Sequence, residues 1–136
     1  MKRKIEKALQ ELEIIELKDY LKKENLKVYA TCNLDDKEDA CLCGNRIFVR
    51  KYLPRNYRRF IILHEIGHHI MHKNDNLAFS YTNLGYRNKL EVEADMFACL
   101  KLLEDECLND VNIIDLLQHK GVPKKVAVKF TEWYQH

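Results

Sequence analysis

One short run constrains this chain more than any other. His64-Glu65-Ile66-Gly67-His68 is an H-E-x-x-H motif inside a helical pattern that opens at Pro54 or Asn56 and ends near His72. Residues four apart in a helix stand one above the other on the same face. His64 and His68 can therefore aim two imidazoles at one cation, while Ile62, Ile66 and Ile70 seek a core on the opposite side. The fold must supply a packed interior on one flank of this helix and a cleft on the other. A shuffled chain of this composition contains the motif about 2% of the time, which makes chance a poor explanation. Glu65 lies about 100° round the helix, beside a bound ion rather than on it, where it can hold the attacking water.

Two histidines do not make a catalytic zinc site, which needs a third protein ligand and one open position. Downstream, Glu91-Val92-Glu93-Ala94-Asp95 falls on the next helical pattern. Glu91 and Asp95 share a face by the four-residue rule, while Glu93 points elsewhere. Glu91 is the expected third ligand and Asp95 the hydrogen-bond partner of a ligand histidine; the sequence leaves Glu93 open as the alternative ligand. Ala94 and Ala98 are small enough to let the two helices approach closely. His72 is one turn beyond His68, within reach of the site, but is expected to cap the helix or face solvent, and His69 is expected to meet solvent. Zinc is the expected ion, although mixed imidazole and carboxylate donors also accept manganese or iron.

With 136 residues the chain reads as one domain, 1–136, in four parts. Residues 1–25 form an N-terminal helical segment, with Ile5, Ala8, Leu9, Leu12, Ile15 and Leu17 at helical steps and Asn25 as a left-handed stop. Residues 26–53 form a small antiparallel sheet of strands near 26–32, 40–43 and 46–50, the last two joined by a hairpin at Gly44-Asn45. Residues 54–104 carry the two metal-site helices, separated by a polar loop over 73–88. Residues 105–136 form a helical hairpin with Gly121 as stop and Pro123 in the next first turn. The class is α+β, a small antiparallel sheet packed on a helical core with the H-E-x-x-H motif on its central helix.

Lys and Arg (23) nearly balance Asp and Glu (21), and a net charge of +2 offers no electrostatic footprint for nucleic acid. Apolar runs such as Phe60–Leu63 are too short to span a bilayer, and no secretory signal opens the chain. Five cysteines, an odd number, fit free thiols in a cytoplasmic protein. Cys41-x-Cys43 has one residue too few for the usual metal spacing and reads as small strand residues.

At this point the chain resembles the ImmA/IrrE metallopeptidases. The resemblance is carried by Arg58-Arg59-Phe60-Ile61-Ile62-Leu63-His64-Glu65-Ile66-Gly67-His68-His69-Ile70-Met71-His72 and by Glu91-Val92-Glu93-Ala94-Asp95-Met96-Phe97-Ala98. It is specific over Pro54 to Leu103. Ile66 stands where the family usually has Leu, and Leu102-Leu103-Glu104-Asp105 where many members continue Leu-Leu-Met-Pro. The resemblance implies zinc on His64, His68 and Glu91, a catalytic Glu65, and a bacterial, often prophage-borne protease. Its partner would be a helix-turn-helix repressor, cut to release a mobile element or a stress response.

The expected chemistry is metal-assisted peptide hydrolysis, with Glu65 as general base and then acid. An edge strand carrying Ile47, Phe48 and Val49 is expected to pair with an extended substrate. Tyr81, Tyr86 and Arg87 are the candidate oxyanion donors. The tail pair, with Lys120, Lys124, Lys125 and Lys129, has a helix-turn-helix look, but its apolar residues need a core and direct DNA contact is not expected. The rival reading is a regulatory binding module that keeps the zinc site and sequesters a repressor without cutting it.

Overall fold

The computed structural model describes residues 2–14, 17–72 and 84–135, with the side chains of residues 2 and 11–14 left aside. The side chains of Leu12 and Ile15, expected on the first apolar face, lie outside the described residues, as does all of Tyr81. Helices α1 (Lys2–Ile14) and α2 (Leu17–Lys23) open the chain. Ile5 and Ala8 of α1 and Tyr20 of α2 are buried, as the helical spacing requires. Asn25 ends this segment with φ 52°, and the amide of Leu26 donates to the carbonyl of Leu21 at 2.8 Å.

Three strands follow, β1 (Lys27–Thr31), β2 (Ala40–Cys43) and β3 (Arg46–Arg50). The tight turn at Gly44-Asn45, with Gly44 at φ 60°, makes β2 and β3 antiparallel. The sheet as a whole is not antiparallel, however. Its order is β1-β3-β2, and β1 runs parallel to β3. Segment 32–39 carries the chain past one strand position, a span of about 10 Å, and β3 returns into the gap. That segment is tied down by Arg50, whose guanidinium donates to Asp39 Oδ1 at 3.3 Å and to the carbonyls of Asp35 and Glu38. Tyr57 pins Asp39 from the other side, its hydroxyl donating to Oδ2 at 2.6 Å.

The consequence for Ile47, Phe48 and Val49 is a correction. They sit on the central strand with both backbone edges paired, and Ile47 and Val49 are buried. An extended substrate has no free edge to meet there. The site-side edge strand is β2, whose Ala40, Cys41 and Leu42 line the main cavity.

Helix α3 (Arg55–His72) and helix α4 (Leu84–Leu103) form the centre of the molecule. Helix α4 starts at Leu84, several residues before the expected Lys89. Gly85 and the asparagines point to a loop, but apolar burial of Leu90, Ala94, Phe97 and Ala98 stabilises a helix that extends through them. Ile66 is fully buried, whereas Ile62 and Ile70 are half-buried; the interior face of α3 is shared with Phe60, Ile61, Leu63 and Gly67. At Gly67 a Cβ would lie 2.8 Å from Phe97 Cδ1, so the two helices touch where α3 lacks a side chain. Ala94 and Ala98, both fully buried, extend that close approach.

The tail forms α5 (Ile113–His119) and α6 (Lys124–Gln135). Asn112 caps α5 by accepting from the amide of Asp115, and Leu117, Val122, Ala127 and Phe130 fill the core. Gly121, at φ 95°, turns against α3: a Cβ would lie 2.3 Å from the carbonyl carbon of Asn56. Among the described residues, no helix is long and apolar enough to cross a membrane.

Candidate metal centre

Helix α3 begins directly after Pro54, whose carbonyl accepts from the amide of Arg58 at 2.9 Å. From there the four-residue rise places His64 and His68 on one stripe, their ring centroids 4.7 Å apart and nearly perpendicular. Helix α4 brings Glu91 across from them. His64 Nε2 lies 2.9 Å from Glu91 Oε2, and His68 Nε2 lies 3.2 Å from Glu91 Oε1. The two Nε2 atoms are 3.1 Å apart. Among the described residues, His64, His68 and Glu91 form a group whose ligand atoms all lie within 4.8 Å of one another. Glu91, and not Glu93, faces the pair.

Asp95, one turn beyond Glu91, accepts from His64 Nδ1–H at 2.8 Å. That bond commits Nδ1 and turns the Nε2 electron pair toward His68 and Glu91. Two imidazole nitrogens and a carboxylate facing one another can share a single cation. The donor set, two nitrogens and one carboxylate with a position left open to the cavity, is the kind zinc takes in hydrolytic sites. The electrostatics point the same way. Burial pulls the His64 pKa down, but the hydrogen bonds to Asp95 and Glu91 outweigh it and hold the group up to about 10. Burial also works against ionised Glu91, and the bonds to His64 and His68 more than offset it, keeping that carboxyl well below the usual carboxylate range. Both shifts run in the direction that favours positive charge among these side chains.

Glu65 is 8% exposed and lines the cavity beside His64 and His68. Burial raises its pKa above the ordinary value, against the lowering pull of both imidazoles. The cavity, about 960 Å³, lies between α3, the segment 37–42 and the first turns of α4, and is also lined by Tyr57, Phe60 and Arg87.

Two histidines depart from expectation. His72 does not meet solvent; it is 3% exposed, with Nδ1 2.8 Å from His68 Nδ1 and Nε2 3.2 Å from Glu93 Oε1. His69 is also buried, held by the Tyr20 hydroxyl on Nδ1 at 2.9 Å and by Asn45 Oδ1 on Nε2 at 3.1 Å. Glu93, left open in the sequence as the alternative ligand, sits half a turn from Glu91 and meets His72 instead of the histidine pair. The signal that points to His72 is the repeat itself: His64, His68 and His72 continue one stripe. Of the oxyanion candidates, Arg87 is exposed and lines the cavity, whereas Tyr86 is half-buried on α4 and is not among the lining residues.

Comparison with known proteins bears on the family of the chain. Metallopeptidase ImmA of Bacillus subtilis (strain 168) is 38% identical over 56 residues, which is 40% of this chain. The aligned stretch spans 32% of that relative's length, about a third. No solved structure matches the chain. The family model described as Peptidase_M78, IrrE N-terminal-like domain, matches residues 10–130, and with the match running through every element from α1 to α6, the chain belongs to that family.

Proposed function

We propose that this chain is a zinc-dependent endopeptidase acting on a helix-turn-helix repressor. The observation that carries the hydrolytic part is the placement of Glu65, a buried carboxyl lining the cavity next to three convergent donor atoms. His64, His68 and Glu91 hold the ion, and Asp95 orients His64. When bound, a divalent ion supplies Lewis-acid polarisation of a carbonyl and makes water acidic enough to ionise near neutral pH. Glu65 takes the proton of the attacking water and returns it to the leaving amine. Its raised pKa suits a group that must both accept and donate.

The free edge of β2 receives the substrate as an added strand, main-chain hydrogen bonds supplying affinity without demanding a particular sequence. Arg87, over the same cavity, is placed to meet negative charge developing on the carbonyl oxygen. The peptidase activity is supported by the family and by the Bacillus subtilis relative, a metallopeptidase; the repressor as substrate rests on the resemblance drawn from the sequence. Regulation of transcription, and action inside a bacterial cell, follow from that substrate class.

Glu65→Gln tests the reading. Zinc-loaded wild type should cut a helix-turn-helix protein encoded beside it, while the variant retains zinc and leaves that protein intact. Equal release of repression by wild type and variant, with the repressor uncut in both, supports a binding module instead.

A further inference from the structure

The described site orients His64 through Asp95, but leaves open what orients His68. We propose that Glu93 and His72 form a hydrogen-bonded relay that fixes the tautomer and the ring angle of His68, so that both are positioning residues for the metal. The inference rests on the reading in which His64, His68 and Glu91 hold the ion.

With an ion on His68 Nε2 and Glu93 ionised, one proton arrangement is consistent with these contacts. Glu93 Oε1 is an acceptor, so His72 Nε2, 3.2 Å away, carries hydrogen and donates to it. A neutral His72 then has its electron pair on Nδ1. His68 Nδ1, 2.8 Å from that atom, must carry hydrogen and donate. The remaining electron pair of His68 is on Nε2, the atom that lies among His64 and Glu91. The opposite tautomer of His72 would leave a bare Nε2 facing Glu93 Oε1, lone pair against lone pair, and oppose two N–H groups at the Nδ1 pair.

Burial makes the arrangement rigid. His72 and Glu93 are 3% and 1% exposed, so neither can exchange its partner for water without opening the α3–α4 contact. Lys4 of α1 reaches Glu93 Oε1 at 3.7 Å and closes the far end of the chain. Thus the three acidic residues at 91, 93 and 95 divide the work: the first faces the ion, the third steadies His64 directly, and the middle one steadies His68 through a second imidazole. Outer partners of this kind are worth about 10- to 100-fold in metal affinity.

The test is zinc affinity of the full-length protein, measured by competition with a chromophoric chelator. His72→Phe, which fills the space without either nitrogen, should weaken zinc binding about 10- to 100-fold. Glu93→Gln, the same shape with the charge removed, should weaken it about tenfold, and His72→Gln, which keeps an acceptor and a donor, should recover part of the loss. Lys4→Met, at the outer end, should change it less than about twofold. A measurement on wild type covers the case in which a variant does not fold: nitrogen-15 shifts of the zinc-loaded protein should show His72 protonated at Nε2 and His68 at Nδ1. Wild-type affinity in both His72→Phe and Glu93→Gln, or His72 protonated at Nδ1 instead, overturns the relay. His64→Ala separates the two readings. If it loses zinc while the relay variants do not, the relay alone fails; if it keeps wild-type affinity, the site itself is wrong.

Discussion

Two walls of one cavity are built in opposite ways. On one side, α3 and α4 are packed without slack: Ile66, Ala94, Met96, Phe97 and Ala98 are fully buried, and Gly67 lets the Phe97 ring lie against the α3 backbone. On the other side stands β2, the edge of a three-stranded sheet whose centre, Ile47 and Val49, is committed to the core and whose far strand β1, away from the cavity, leaves Val28 and Tyr29 40% and 41% exposed. The helices carry all the metal donors and their supports. Among the described residues, the sheet offers a free edge at β2. Rigidity is thus concentrated where atoms must converge to within about half an ångström, and is relaxed where a varied peptide must be admitted.

The sharpest way to break this contrast is to remove a packed side chain from each wall. Phe97→Ala should cost about 3–5 kcal/mol, because it leaves a cavity between two helices that cannot close on it. Tyr29→Ala, which strips a half-exposed ring from its stack on Phe48, should cost about 1 kcal/mol or less. Urea unfolding of the two variants measures both, and equal losses would erase the distinction.

Gly67→Ala probes the helical wall more finely. Alanine gains about 1 kcal/mol in helix propensity over glycine, but the new Cβ meets Phe97 Cδ1 at 2.8 Å, and overpacking of that kind costs about 1–3 kcal/mol. The clash should win by about 1 kcal/mol. It should also weaken zinc binding, since Gly67 lies between His64 and His68 and the clash pushes them from Glu91. A variant that is more stable and binds zinc normally would show that the close approach is slack.

Tyr57→Phe acts where the two walls are joined. Losing the donor to Asp39 should cost about 1 kcal/mol. Burial and then the Asp39 bond push the Tyr57 pKa up to about 12, above the ordinary 10. The sign follows: the folded value exceeds the unfolded one, so this contribution is full below pH 10 and is lost as pH rises through 12. Stability of wild type should fall across that alkaline window more steeply than that of Tyr57→Phe, and parallel curves would count against the contact. The smallest effect lies on β2. Burial and then the contact with Cys43, 3.9 Å away, push the Cys41 thiol up to about 11. Its alkylation rate should keep rising with pH to about 11, and a plateau near 9 would place Cys41 in open solvent.

The same contrast explains what was legible in the sequence. His64, Glu65, His68, Glu91 and Asp95 could be placed because a helix turns a four-residue interval into a shared face, a relation internal to one element. The class and the strand positions were also legible, from alternation and the Gly44-Asn45 turn. Strand order was not. Whether Ile47–Val49 lie at an edge or in the centre depends on where β1 docks, and the chain between β1 and β2 carries no local mark of it. His69 and His72 were misplaced for a related reason: their partners, Tyr20 and Asn45 for one and Glu93 for the other, come from distant elements. A polar residue reads as exposed until the group that satisfies it is known.

The central claim is that one ion sits on two imidazoles of α3 and one carboxylate of α4. X-ray absorption at the zinc edge of the loaded protein tests it most directly. The account predicts two imidazole nitrogens at about 2.0–2.1 Å and carboxylate or water oxygens at about 2.0–2.2 Å, with no sulfur, and loss of this signature in His64→Ala. Sulfur scatterers at about 2.3 Å, placing the ion on cysteines such as Cys41 and Cys43, would contradict it.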